Sequence, residues 1–165
     1  MEDPLGVRRG ERETLEGFLD WYRAVVERKL DGLTPDDAKR VMTPTGMSPL
    51  GVLKHLGWVE RGWFREIFAG EDVQAIDVDG DNSAEFATGR DDTADSVIEF
   101  YRAEVEQSRR ICGGALSLDD RSAKETSFRE RVSLRWIMVH MVEETARHAG
   151  HLDLMREEID GQVGD

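Results

Sequence analysis

The stretch SLRWIMVHMVEETARHAGHLDLMREEIDG, from Ser133 to Gly161, decides the fold. At about 100° of rotation per residue, Ile137, Met141, His148, Leu152, Met155 and Ile159 fall on one stripe, the pattern of a long amphipathic helix. Ser133 offers a side-chain N-cap and Gly161 a stop, which bounds the helix at about residues 134–159. Glu144 and Thr145 sit on the two margins of the apolar stripe. Glu143 points elsewhere, toward Trp136 and Leu154, so of the two adjacent carboxylates only Glu144 shares a face with His148. A carboxylate held against an apolar core is costly unless a cation or strong donors compensate it.

Three further helices follow from the same reasoning. The first spans about residues 11–30, with Leu15, Phe18, Leu19, Tyr22, Val25, Val26 and Leu30 at helical spacing and Asp31-Gly32 ending it. The second opens at Ser48-Pro49, a cap followed by proline at the first helical position, and runs over about residues 49–68 before Gly70. Its apolar face carries Val52, Leu56, Val59, Trp63 and Ile67, with His55 on the edge. The third covers about residues 93–112, with Val97, Tyr101, Val105 and Ser108 in phase and Gly113-Gly114 as a stop. With no alternating strand pattern, four helices of this length predict an all-α, four-helix bundle formed by a single domain over residues 1–165. The connections 71–90 and 113–132 exceed tight hairpins, and loops of that length often cover functional sites.

Composition limits the function. Lys and Arg number 22 against 35 Asp and Glu, a net charge of -13 that opposes binding to nucleic acid or to anionic membranes. No apolar run approaches the roughly 20 residues of a membrane span, and the N-terminus lacks a signal-peptide core, so a cytoplasmic protein is expected. The single cysteine, Cys112, excludes an intrachain disulfide and a Cys-rich zinc motif.

The chain has only four histidines. Three of them, His140, His148 and His151, lie close in angle to Glu144, and His55 belongs to the second helix. A bundle can bring one residue of the second helix against an i, i+4 pair of the fourth, which makes His55, Glu144 and His148 a candidate three-ligand metal set with an open position. Imidazole and carboxylate together suit Zn²⁺, Ni²⁺, Mn²⁺ or Fe²⁺. The same spacing also fits a hydrogen-bonded Glu–His pair with no metal at all. His140 and His151 read as residues supporting the site or lining a pocket, and Trp58 as a candidate at a substrate mouth.

Two segments bring a family into view. His55-Leu56-Gly57-Trp58-Val59-Glu60-Arg61-Gly62-Trp63-Phe64, followed at long distance by Glu144-Thr145-Ala146-Arg147-His148-Ala149-Gly150-His151-Leu152-Asp153, resembles the DinB-like superfamily, in the branch of mycothiol-dependent maleylpyruvate isomerase and related thiol transferases. The resemblance implies a four-helix bundle with a divalent metal, Zn²⁺ first among the candidates, held by His55, Glu144 and His148. Many members carry His-x-x-x-His in the last helix, whereas Glu144-x-x-x-His148 matches the isomerase branch. It further implies a low-molecular-weight thiol, mycothiol or a similar one, as cosubstrate, and S-transfer to, or isomerisation of, a small electrophile. A homodimer is also expected, with Trp21, Trp58 and Trp136 as an exposed aromatic patch. The competing function is a non-catalytic metal- or ligand-binding stress-response protein built on the same bundle.

Other motifs are weaker. Asp77-Val78-Asp79-Gly80-Asp81-Asn82 has the acidic spacing of a calcium loop but places Asn82 at position six and Thr88 at position twelve, where Gly and Glu belong. Cys112 has no Cys-x-x-Cys partner and reads as a buried thiol instead of a nucleophile.

Overall fold

Three of the four long helices begin where the sequence supplies a side-chain cap, and the first begins at Gly10 without one. In the computed structural model, which describes residues 10–74 and 85–164, Ser48, Thr93 and Ser133 accept hydrogen bonds from the backbone N–H groups of Gly51, Ser96 and Trp136. The helices are Glu11–Arg28 (α1), Pro35–Lys39 (α2), Pro49–Glu60 (α3), Ala94–Gly114 (α4) and Leu134–Asp160 (α5). Gly161 closes α5 at φ 75°, the left-handed position that glycine takes without strain. α1 packs along α5 and α3 along α4, giving the expected all-α four-helix bundle. Among the described residues the sole β pairing is an isolated antiparallel bridge between Arg121 and Ser133.

Several details depart from the sequence expectation. The short α2 lies in a stretch read as a connection. Thr34 caps it and Pro35 occupies its first position, but five residues carry too little periodicity to register. α1 ends at Arg28, and residues 29–32 form a turn. α4 runs through Gly113 and Gly114 instead of stopping before them, so these glycines form the last helical turn. The calcium-like segment Asp77 to Asn82 lies outside the described residues.

The largest difference is in the second helix. α3 continues without a break as a π-helix, Arg61–Phe68, and the Ala69 N–H donates to the Phe64 carbonyl five residues back at 2.9 Å. The inward face, through Leu53, Leu56, Glu60 and Phe64, is one residue out of phase with the expected one. The spacing predicts a face through Val59, Trp63 and Ile67, whereas Glu60 and Phe64 are fully buried and Trp63 is turned to the flank. Phe18, predicted on the inner face of α1, is exposed, and Arg23 of that helix is buried.

The core divides into two clusters along the bundle. One gathers Val26, Leu50, Leu53, Leu56, Tyr101 and Leu152, and the other Leu19, Phe64, Leu134, Ile137, Met138 and Met141. On α5 the residues from Glu144 to His148 fall between Met141 of one cluster and Ala149 of the other. The connection after α4 is tied down: Ala123 and Lys124 N–H groups donate to the Phe68 and Ile67 carbonyls at 2.9 and 3.0 Å. It therefore braces the end of the π-helix.

Candidate metal centre

His55 is carried into the bundle by α3, and Glu144 and His148 by successive turns of α5. All three are buried. Glu144 Oε1 lies 3.2 Å from His55 Nε2 and 3.1 Å from His148 Nε2, and one donor atom from each residue falls within 4.8 Å of the others. Among the described residues this is the one such group of three histidine, cysteine or acidic side chains. With metal–ligand bonds of about 2.0–2.2 Å, two ligands of a tetrahedral ion stand about 3.4 Å apart, and both Glu144–histidine separations lie within a few tenths of an ångström of that. The donor set, two imidazoles and a carboxylate, is also one that a divalent ion of the zinc type accepts.

The electrostatics keep Glu144 ready for this role. Hydrogen bonds with His148 and then His55 hold its carboxyl well below the usual carboxylate range, outweighing the opposing effect of burial. Its second oxygen, Oε2, accepts from Arg147 Nη1 at 3.1 Å, which leaves Oε1 to the two imidazoles. The neighbouring Glu143 is half-exposed and pairs with Arg147, as the helical phase predicts.

The other candidates lie at graded distances. His151 is adjacent, its Nδ1 3.3 Å from His148 Nδ1. Burial, then the neighbouring His148 and Arg147, push its pKa down. His140 is joined to the triad by no hydrogen bond, and its ion pair is with Glu143. Its ring stacks on Trp136 with centroids 5.3 Å apart and meets Trp63 edge-on at 4.8 Å. Burial also lowers its pKa, against the pull of the Glu144 charge. Trp58 packs on Phe100 at 5.1 Å, with the Arg61 guanidinium 4.6 Å over its ring, and so faces α4. Cys112 is buried, and burial pushes its thiol up to about 12, which removes it as a nucleophile near neutral pH.

Two residues beside the site are absent from the sequence expectation. Phe86 packs against His55 and His148, with ring centroids 4.7 and 5.7 Å away, and Glu85 Oε2 stands 4.0 Å from His55 Nδ1. Their approach depends on Gly51 of α3, where a Cβ would lie 2.2 Å from the Phe86 carbonyl oxygen. Arg147 was accessible in principle, since Glu144 and Arg147 are three apart on a helix.

A family model for mycothiol-S-transferase matches residues 14–161. The chain belongs to the mycothiol-S-transferase family, a DinB-like family. The match covers α1 from Thr14 onward and the other three long helices, and supports a thiol-transferase-like function with a small-molecule thiol as partner. No curated protein matches the chain. No helix of the described residues is long and apolar enough to cross a membrane.

Proposed function

We propose that the protein binds one divalent ion, Zn²⁺ in the first instance, through His55 Nε2, Glu144 Oε1 and His148 Nε2, and transfers a low-molecular-weight thiol, mycothiol, to a small electrophile. The buried His–Glu–His cluster carries this reading. Two histidines and a glutamate form a known zinc set that leaves a fourth position for a ligand from solution. A bound ion supplies Lewis acidity, which lowers the pKa of a thiol beside it and raises the thiolate fraction near neutral pH.

The chain's own residues prepare that step. Glu144 brings one negative charge to balance a dication, and Arg147 fixes which of its oxygens turns inward. Phe86 covers the histidine pair on one side and limits water there. Cys112 takes no part, because its thiol is buried and protonated.

Purified protein is expected to hold close to one divalent ion per chain, and His148→Ala to lose it, as read by elemental analysis. An ion that binds only the folded state adds about 2.7 kcal/mol of stability at a free concentration 100 times its Kd. Chelation should therefore lower the melting temperature of wild type far more than that of the variant. A wild type that refuses added Zn²⁺ and Ni²⁺ would overturn the metal site. Loaded protein incubated with mycothiol and a reactive electrophile should consume thiol in a metal-dependent way. Binding without turnover would sink the transferase and leave a binding protein.

A further inference from the structure

We infer that His151 is a positioning residue of the metal centre: its Nδ1 donates a hydrogen bond to His148 Nδ1 in the metal-free protein and accepts one from the same atom when an ion is bound, so that metal loading reverses the bond between the two rings. The inference rests on the metal-binding reading above. His148 Nε2 lies 3.1 Å from Glu144 Oε1, and its Nδ1 lies 3.3 Å from Nδ1 of His151, three residues further along α5. His148 is 4% exposed, so both of its ring nitrogens find their partners inside the bundle. The two rings meet edge-on, with planes at 80° and centroids 5.1 Å apart.

A neutral imidazole carries one N–H and one lone pair, which fixes the direction of each bond. In the metal-free protein the Glu144 carboxylate only accepts, so the hydrogen of His148 is on Nε2. Its Nδ1 then offers a lone pair, and the bond between the rings requires the hydrogen of His151 to be on Nδ1. When His148 gives its Nε2 lone pair to an ion, its own hydrogen must sit on Nδ1. His151 Nδ1 then becomes the acceptor, and the His151 hydrogen moves to Nε2. The protons balance. The one on His148 Nε2 is displaced to solvent, the one on His151 Nδ1 crosses the hydrogen bond to His148 Nδ1, and His151 Nε2 takes one from solvent. Solvent reaches His151, which is partly exposed and borders a cavity of about 210 Å³ between the chain just before α3 and the last turns of α5.

The second histidine of the set is held differently. Glu85 Oε2 stands 4.0 Å from His55 Nδ1, beyond hydrogen-bond reach, so the orientation imposed on His148 has no match at His55. Loss of the His151 partner would leave a metal-bound His148 with a buried, unpaired Nδ1–H and a ring free to turn.

The test uses the full chain labelled with ¹⁵N in its histidine rings, at pH 8, above the ordinary imidazole pKa of about 6.5, with and without Zn²⁺. A scalar coupling between the two Nδ1 nuclei, carried through the hydrogen bond, should appear in both states. The protonated nitrogen of His151 should change from Nδ1 without the ion to Nε2 with it. His151→Leu should weaken Zn²⁺ binding about 10–100-fold in competition with a chelating dye. His151→Asn, whose amide offers both an acceptor and a donor near the position of Nδ1, should restore most of that affinity. A side chain that only filled space would give the opposite order, since leucine keeps more volume than asparagine. The proposal falls if the coupling is absent, if His151 keeps one tautomer in both states, if the leucine variant binds Zn²⁺ as well as wild type, or if the asparagine variant binds no better than leucine. Each of these results is read on a wild type that still binds Zn²⁺ and leaves the metal site standing, whereas a wild type that takes up none overturns both.

Discussion

Glu144→Gln is expected to weaken Zn²⁺ binding by at least about 100-fold, since even residues that only support metal ligands contribute about 10–100-fold to affinity. The amide keeps the volume of the side chain and can still hydrogen-bond to His55 and His148, but it loses the anionic donor that a dication requires. Glu143→Gln is the matched control. Its carboxylate is half-exposed and engaged with Arg147, so its removal should change affinity by no more than about the 1 kcal/mol of a surface ion pair. Glu144→His should retain metal, because relatives with His-x-x-x-His place an imidazole there. Competition with a chelating dye measures all three variants, and circular dichroism checks that helix content is kept. Normal affinity in Glu144→Gln, or equal losses at both positions, would overturn the ligand set.

The pH dependence has a defined sign. In the metal-free protein the Glu144 carboxyl is held below its ordinary value by the two histidines. Its contribution to folding is therefore fully present above the unfolded carboxyl pKa of about 4.3 and is lost as pH falls through the lowered folded value.

The fold was legible where a long repeat meets a cap. Ser48, Thr93 and Ser133 mark three helix starts, and the apolar stripe of α5 correctly separates Glu144 from Glu143. The juxtaposition of His55 with that pair is one arrangement a bundle allows, and the family resemblance singled it out. What the periodicity missed has a common cause: it assumes apolar interiors. Leu53, Leu56, Glu60 and Phe64 are buried at ordinary helical spacing, and the face expected through Trp63 lies one residue away from them because a charged Glu60 does not count as apolar; Trp63 packs partly buried against the core. Buried Arg23, Glu60 and Glu104 have no mark in the sequence pattern, since nothing local reveals that each finds its partner on another helix. Phe86 lies in a connection, where no repeat marks it, and reaches the histidines only because Gly51 lets the backbone pass.

The ion pair of Arg23 and Glu60 should give the largest effect on stability. Arg23 Nε and Nη2 each donate to a different Glu60 oxygen at 2.7 Å, and the two side chains are 6% and 1% exposed. Removing one partner of such a pair costs about 3–5 kcal/mol, because the other is left charged and buried. That is a large share of the roughly 5–15 kcal/mol that holds a domain together. Glu60→Gln, nearly isosteric, isolates the charge from the cavity it would otherwise create. Arg23→Met strands the buried carboxylate instead. The double variant Arg23→Met, Glu60→Leu replaces the pair with apolar volume and should be more stable than either single change. Urea unfolding of the metal-free proteins at pH 5 and 7 measures each of these. Single variants within about 1 kcal/mol of wild type would show that water reaches the pair, and that α1 is not pinned to α3 at the residue where its winding changes.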